Sequence, residues 1–277
     1  EPTSGLDPIT ARGFDRLARS LGDDLGLTVS LVTRDLDSLL GVVDRLIADR
    51  ENRVNSFAHV NHSFENPRVG VLLCINGTGI QYAWLRKHTG DEALSYPAME
   101  QLAASAPVGA DGLCIIPFGN GAERMLGNQS PGAQILGLQF NRHARAHLYR
   151  AALEGIAFSF VYGMKIMQGL GLAMNVLRVG NDNLFQSEIF SKTITQLIGC
   201  RIELYETTGA VGAAIASGVG IGLWKSAGEG LGAQSCVKIY EPAGEGEAYR
   251  AAYQHWADCL ALTIDADSGR SSTLPDQ

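Results

Sequence analysis

Two short glycine-bearing stretches hold the residue types best suited to meeting a ligand. One is Val179-Gly180-Asn181-Asp182-Asn183; the other is Thr207-Thr208-Gly209-Ala210-Val211-Gly212-Ala213-Ala214. Each follows a β-rich run and leads into a helix-forming run. Glycine lets the backbone come close to a ligand, and a helix N-terminus presents free N–H groups to phosphate or ring acceptors. Where strands run parallel, loops of this kind lie outside their carboxyl ends, the place where α/β sheets bind ligands. The Gly-Ala-x-Gly-Ala-Ala spacing also suits close helix–sheet packing, and Asp182 sets a negative charge beside any phosphate. On spacing alone, nucleotide binding and plain packing both stand.

Other chemistries lack their residues. There is no Gly-x4-Gly-Lys-Ser/Thr loop, no His-Glu-x-x-His and no Gly-x-Ser-x-Gly. His59 and His62 lie three apart in a strand-and-loop context, a spacing that chance supplies. The five cysteines, Cys74, Cys114, Cys200, Cys236 and Cys259, are odd in number and form no Cys-x-x-Cys, so neither a disulfide framework nor a zinc site is indicated. Cys74, Cys114 and Cys200 have apolar neighbours and read as buried thiols in a reducing cytoplasm.

The elements that must position the loops read as α/β. Asn175–Val179 and Arg201–Tyr205 are strands, Leu184–Ile198 and Ala210–Gly220 helices, and Gly199 sits where a helix-ending glycine belongs. This alternation predicts parallel strands with crossover helices. Upstream, Val54–Val60, Val69–Ile75 and Leu113–Pro117 read as strands, and Ile80–His88 as a helix. His147–Leu170 is a long helix with Leu148, Ala152, Ile156, Phe160, Met164 and Met167 on one face. Residues 247–263 form a last amphipathic helix, and 266–277 a flexible tail.

The totals exclude several classes. The chain has 277 residues, 45% hydrophobic and 18% charged, with a formal net charge of -7, enough apolar content for a folded core. An acidic chain without a basic cluster is a poor partner for nucleic acid. No apolar run approaches the ~18 residues needed to cross a bilayer, and no signal peptide is visible. A soluble, cytoplasmic protein is expected.

One long motif is specific. Ala133-Gln134-Ile135-Leu136-Gly137-Leu138, eight further residues, and His147-Leu148-Tyr149-Arg150-Ala151-Ala152-Leu153-Glu154 fit a signature of the FGGY carbohydrate kinases at every restricted position. Gly112–Arg124 resembles the family's Gly-Leu-x-Phe-x-Pro…Gly-Glu-Arg segment, and Gly77-Thr78-Gly79…Trp84-Leu85 its stretch ending in Trp-Leu. The resemblance covers about 51–265 and is greatest to xylulokinases. It implies the C-terminal half of an actin-like (ribonuclease H-like) ATPase fold, with ATP and Mg²⁺ in a cleft between two domains and the γ-phosphoryl group passed to a sugar hydroxyl. By position it implies that Gly180, Asn181 and Asn183 line the adenosine pocket. Gly209, Gly212 and Ala213 approach it from the next loop, and Gly79 lies near the phosphates. Glu123 and Arg124 are implied to form an ion pair rather than to catalyse. The family usually shows Gly-Gly-Gly-Ala-Lys-Ser or a Gly-Asn-Ala-Asn-like loop where this chain has Gly-Asn-Asp-Asn. The family's catalytic aspartate, sugar-binding residues and first phosphate loop belong to an N-terminal domain without a counterpart in these residues. No catalytic residue is therefore assigned, a pentulose-type sugar requires that domain, and the isolated chain is expected to be inactive.

Residues 1–48 differ in texture. Glu1-Pro2-Thr3-Ser4-Gly5-Leu6-Asp7-Pro8 resembles the Walker B end and D-loop of an ABC transporter ATPase, and Leu31-Val32-Thr33-Arg34-Asp35-Leu36 its switch-histidine segment, with Arg34 in place of histidine. By this resemblance Glu1 corresponds to the water-activating carboxylate, but the P-loop is missing and no hydrolysis is expected. Two incomplete ATP-using domains then stand head to tail. The apolar face of 36–47 is expected to pack on the kinase half or to promote homo-oligomers. A non-catalytic module that binds nucleotide or a partner chain is the competing reading of the whole.

Overall fold

The computed structural model describes residues 49, 51–58, 69–89, 94–232, 234–244 and 246–271. The ATPase-like stretch 1–48, its apolar face at 36–47, and both His59 and His62 lie outside the described residues. In chain order the elements are β1 (Asn55–Ala58), β2 (Val69–Leu72), α1 (Thr78–Thr89), α2 (Tyr96–Ala104), β3 (Cys114–Phe118), β4 (Gly132–Leu136), α3 (Arg145–Gly169), β5 (Val176–Gly180), α4 (Glu188–Ile198), β6 (Arg201–Tyr205), α5 (Gly209–Gly220), α6 (Ala227–Leu231), β7 (Cys236–Tyr240) and α7 (Gly246–Ser271). They fall into two compact units. Of the described residues, one holds those up to Cys74 together with Arg124–Asn128, and the other holds those of Ile75–Glu123 and from Gln129 on.

In the first unit β1 and β2 pair antiparallel, Asn55 opposite Leu72. Before β1, the Asp49 carboxylate accepts from the Arg53 backbone N–H at 2.7 Å and pairs with its guanidinium at 3.0 Å. These bonds hold the Asp49 carboxyl below the usual range. Arg124 donates to Asn55 Oδ1.

The second unit is built on α3. The sequence pattern suggests one apolar face, but every residue from Tyr149 to Ser159 is buried. A helix apolar all round belongs in the centre of a core rather than on its surface. Its charged residues are accordingly paired: Arg150 Nε donates to Glu154 Oε1 at 2.5 Å, and Glu154 Oε2 accepts from the Gly109 N–H at 2.9 Å. The antiparallel β3–β4 pair lies against it, with Cys114 opposite Leu136. Contact is close enough that a Cβ on Gly155 would stand 2.3 Å from the Ile115 carbonyl oxygen. That same oxygen accepts from Trp256 Nε1 of α7 at 3.0 Å.

The parallel pairing expected of the 175–220 stretch is met by β5 and β6. β5 and β6 run parallel, Val176 opposite Arg201 and Gly180 opposite Tyr205, whereas β7 returns antiparallel on β6. β1–β2 and β3–β4 are antiparallel too. The helix expected over 184–198 breaks into a 3-10 turn, Leu184–Gln186, and α4, with Ser187 capping α4 through its Oγ. Gly199 ends α4 in the left-handed conformation, φ 76°. α2, β4, α6 and β7 are additions to the sequence reading. α7 runs to Ser271, so the first residues of the expected tail continue the helix; no proline interrupts the stretch, and each further residue adds a backbone hydrogen bond. Cys114 and Cys200 are buried as expected, and burial raises both thiol pKa values. Cys74 is exposed, two residues past the end of β2.

Candidate functional site

The two glycine loops meet. Both leave the carboxyl ends of the parallel pair, where the register places Gly180 opposite Tyr205. The Asn181 N–H donates to the Tyr205 carbonyl at 2.9 Å, and Asn181 Nδ2 to Glu206 Oε2 at 3.0 Å. A Cβ on Gly180 would lie 2.7 Å from the Thr207 carbonyl oxygen and 2.9 Å from Asp182 Oδ1, so only glycine lets the first loop rest on the second. Asn183 turns inward on its own chain: its Oδ1 accepts from the Phe185 N–H at 3.0 Å, capping the 3-10 turn.

The second loop opens α5. Thr208 caps it, its Oγ1 accepting from the Val211 N–H at 3.3 Å, and no acidic residue stands in the first turn. Gly209, Gly212 and Ala213 are exposed, and Cβ atoms on the two glycines would meet nothing within 4 Å. This separates the two readings of the Gly-Ala-x-Gly-Ala-Ala spacing. Close packing is carried elsewhere, by Gly218, where a Cβ would strike the Trp224 ring at 2.3 Å, and by Gly230 against Ile215. The first turn of α5 is small and open, and nothing among the described residues requires that.

Carboxylates stand at both loops. Asp182 and Glu206 are both exposed, and Glu188 opens α4. Lys192 and Lys238 bracket Glu188, at 2.5 and 3.3 Å, and their hydrogen bonds hold its carboxyl below the ordinary value.

Gly79 stands apart from the other sequence-derived residues. It lies exposed in the first turn of α1, with open space where a Cβ would project. Beside that turn the structure has a cleft that sequence reasoning missed. Its volume is about 340 Å³, between Gly77, Ile80, Gln81 and Trp84 of the α1 end and Pro117, Asn120, Gln134 and Ile135 of the β3–β4 end. No ionisable side chain lines it. Gln81 lines it, although its Oε1 is itself enclosed and has no hydrogen-bond partner among the described residues. None of the glycine-loop residues lines this cleft. The only signal for it in the sequence is Gly77-Thr78-Gly79 leading into Trp84, and it does not reveal Gln81.

Glu123 and Arg124 each have a partner within their own unit. Glu123 is fully buried and accepts from the Asn76 N–H at 3.0 and 3.2 Å, while Arg124 has Asn55 as its partner. Burial raises the Glu123 pKa against the lowering effect of that N–H.

Comparison with known proteins adds the lineage. Residues 46–221 match the C-terminal domain of the FGGY family of carbohydrate kinases. A xylulose kinase of Staphylococcus epidermidis is 29% identical over 252 residues, covering 80% of this chain and 47% of its own length. The ligand-bound xylulose kinase of Lactobacillus acidophilus superposes with a TM-score of 0.66 at 17% identity, over 82% of this chain and 45% of that one. The glycerol kinase of Plasmodium falciparum, solved with ADP, superposes with a TM-score of 0.62 at 19% identity, over 76% and 42%. The fold is the mixed α/β, actin-like fold of these sugar kinases. The chain spans about half the length of the curated relatives it matches. The family match begins at residue 46 and gives the ATPase resemblance of residues 1–48 no support.

Proposed function

The chain belongs to the FGGY family of carbohydrate kinases, and from that premise we propose that it forms the nucleotide side of a xylulokinase-like sugar kinase, which passes the γ-phosphoryl group of ATP to a hydroxyl of a pentulose-type sugar. The observation that carries this is the meeting of the two glycine loops at the carboxyl ends of β5 and β6, beside the open first turn of α5. Residues 51–265 are the working domain on this reading, and residues 1–48 take no part.

Gly180, Asn181 and Asn183 form one wall of an adenosine pocket, and Gly209, Gly212 and Ala213 the other. The exposed carboxylates of Asp182 and Glu206 disfavour phosphate there, so the loops suit the uncharged nucleoside, which the negative field does not repel. Gly79 and the uncharged cleft beside it form a second contact region. When bound, Mg²⁺ neutralises phosphate charge during transfer. Among the described residues no three His, Cys, Asp or Glu side chains converge. Phosphoryl transfer further needs a base at the acceptor hydroxyl and a fixed sugar. Those groups belong to the share of the relatives' length that has no match in these 277 residues. Among the described residues no helix is long and apolar enough to cross a membrane.

Calorimetric titration with ADP and Mg²⁺ tests the reading. Saturable binding, lost in Gly180→Val and in Gly212→Val while the fold is retained, supports it. No binding by the unaltered chain removes the nucleotide site. Sugar phosphorylation on adding the N-terminal half of a xylulose kinase then separates a kinase half from a module that binds without turnover.

A further inference from the structure

The loop after β5 is tied to a helix far away in sequence. Glu100 lies on α2, and its two carboxylate oxygens have separate partners at the start of α4. Oε2 accepts from Ser187 Oγ at 2.7 Å, and Oε1 accepts from the Ile189 N–H at 2.9 Å. Ser187 is the N-cap of α4, its own Oγ accepting from the Phe190 N–H at 3.1 Å. The Ile189 N–H is one of the first-turn donors that no helix satisfies internally, and a carboxylate there also complements the helix dipole.

From this anchor a chain of hydrogen bonds runs back to the glycine. Ser191 Oγ of α4 donates to the Phe185 carbonyl at 2.8 Å. The Phe185 N–H is held by Asn183 Oδ1 at 3.0 Å, and the Gln186 side chain donates to the Asn181 carbonyl. The Phe185 ring stacks edge-on against Phe190 of α4, centroids 5.1 Å apart, and against Phe160 of α3 at 6.2 Å. Asn183, through Phe185, and the Asn181 carbonyl, through Gln186, are therefore held from the α4 side, in addition to the bonds of Asn181 to Tyr205 and Glu206, and Glu100 fixes the start of α4.

We infer that Glu100 is a positioning residue for the nucleotide site: its carboxylate locks the Asn181–Ser187 turn against α2 and so sets the distance of Gly180 and Asn181 from the second loop. The inference rests on the nucleotide reading above. It also explains how α4 begins. The N-terminus of this helix follows a glycine loop and looks from sequence like a phosphate site, yet it already holds a carboxylate and opens with Glu188. The phosphates are left to other elements.

The test compares the full chain with Glu100→Ala and Glu100→Gln by two measurements, amide hydrogen exchange and ADP–Mg²⁺ titration. Loss of two charge-assisted bonds gives a roughly tenfold rise in exchange for 181–191, with β3 and α3 unchanged, and roughly tenfold weaker ADP binding. Glu100→Gln keeps an acceptor for the Ile189 N–H and recovers part of both. Unchanged exchange in Glu100→Ala overturns the inference, as does a uniform rise that includes α3, or faster loop exchange with ADP affinity intact. If the unaltered chain binds no ADP, the nucleotide reading falls, and the exchange data alone decide whether Glu100 holds the turn. Should Glu100→Ala fail to fold, Glu100→Gln carries both measurements.

Discussion

The end of the domain around α3 and the end around α5 use apolar residues in opposite ways. In α3 all eleven residues from Tyr149 to Ser159 are buried, and even the charged pair Arg150–Glu154 is enclosed. In α5 the sequence is more uniformly apolar, yet only Ile215 and Gly218 are buried among its twelve residues. Ile221 and Leu223, just beyond, are 82% and 65% exposed. Side-chain size accounts for the difference. Tyr, Leu, Ile and Phe on α3 remove large areas from water, whereas Gly and Ala on α5 have little area to remove. The α3 end is built for stability. The α5 end spends almost no packing on itself and leaves a smooth, closely approachable backbone at the loops.

The largest effect expected from this contrast is at Trp256. Its ring is 1% exposed, stacks with Tyr253 and meets Phe118 and Phe158 edge-on or tilted, and its Nε1 donates to the Ile115 carbonyl. Trp256→Ala is expected to cost about 3–5 kcal/mol, with the Ile115 carbonyl orphaned in addition. Leu223→Ala at the other end should change stability by no more than about 0.5 kcal/mol. Denaturant midpoints of the two variants decide. Similar losses would mean that the α5 end is packed as tightly as the core and that the contrast is wrong.

A smaller effect of opposite sign at the two ends comes from acid. Glu123, buried, has its pKa raised above the ordinary glutamate value near 4.5, because burial favours the protonated form. Its contribution to folding is complete below pH 4.5 and is lost as pH rises through the folded value. Glu188, half-exposed between Lys192 and Lys238, has its pKa lowered. Its contribution is present above pH 4.5 and is lost as pH falls through the folded value. Stability followed from neutral to about pH 3 should show the unaltered chain gaining on Glu123→Gln and losing its advantage over Glu188→Gln. Both differences moving the same way would contradict the assignment of the two environments.

The same contrast explains what could be read from the sequence. The stretch 175–220 was legible because strands and helices alternate at short intervals and Gly199 ends a helix as its type suggests; the caps Ser187 and Thr208 were not read, and the helix expected from Leu184 starts only after Ser187. The meeting of the two loops followed from their place after neighbouring strands. α2 had its signals as well, Ser95 as N-cap and Pro97 in the first turn, but its short apolar run lacks a clear helical period. β4 was hidden inside a family motif, and β7 carries four exposed residues of five, so no burial pattern marks it. Glu100 and Gln81 were out of reach. Glu100 finds its partners 87 and 89 residues away, and Gln81 lines a cleft shared with the β3–β4 end; neither fact has a local trace.

The smallest expected effect is the most pointed. Gly212 lies inside α5, and an added Cβ would meet nothing within 4 Å. Alanine there should stabilise the helix by about 0.5–1 kcal/mol, since glycine gives up more backbone freedom on folding. If a ligand comes against this face, the same methyl group occupies the space it needs, and Gly212→Ala should raise the melting temperature while weakening ADP binding. Stability and binding moving in opposite directions from one methyl group is hard to obtain at a site that only packs. A stabilised variant that binds ADP as well as the unaltered chain would show that nothing approaches the open turn of α5, and the contrast between the two ends would be one of packing alone.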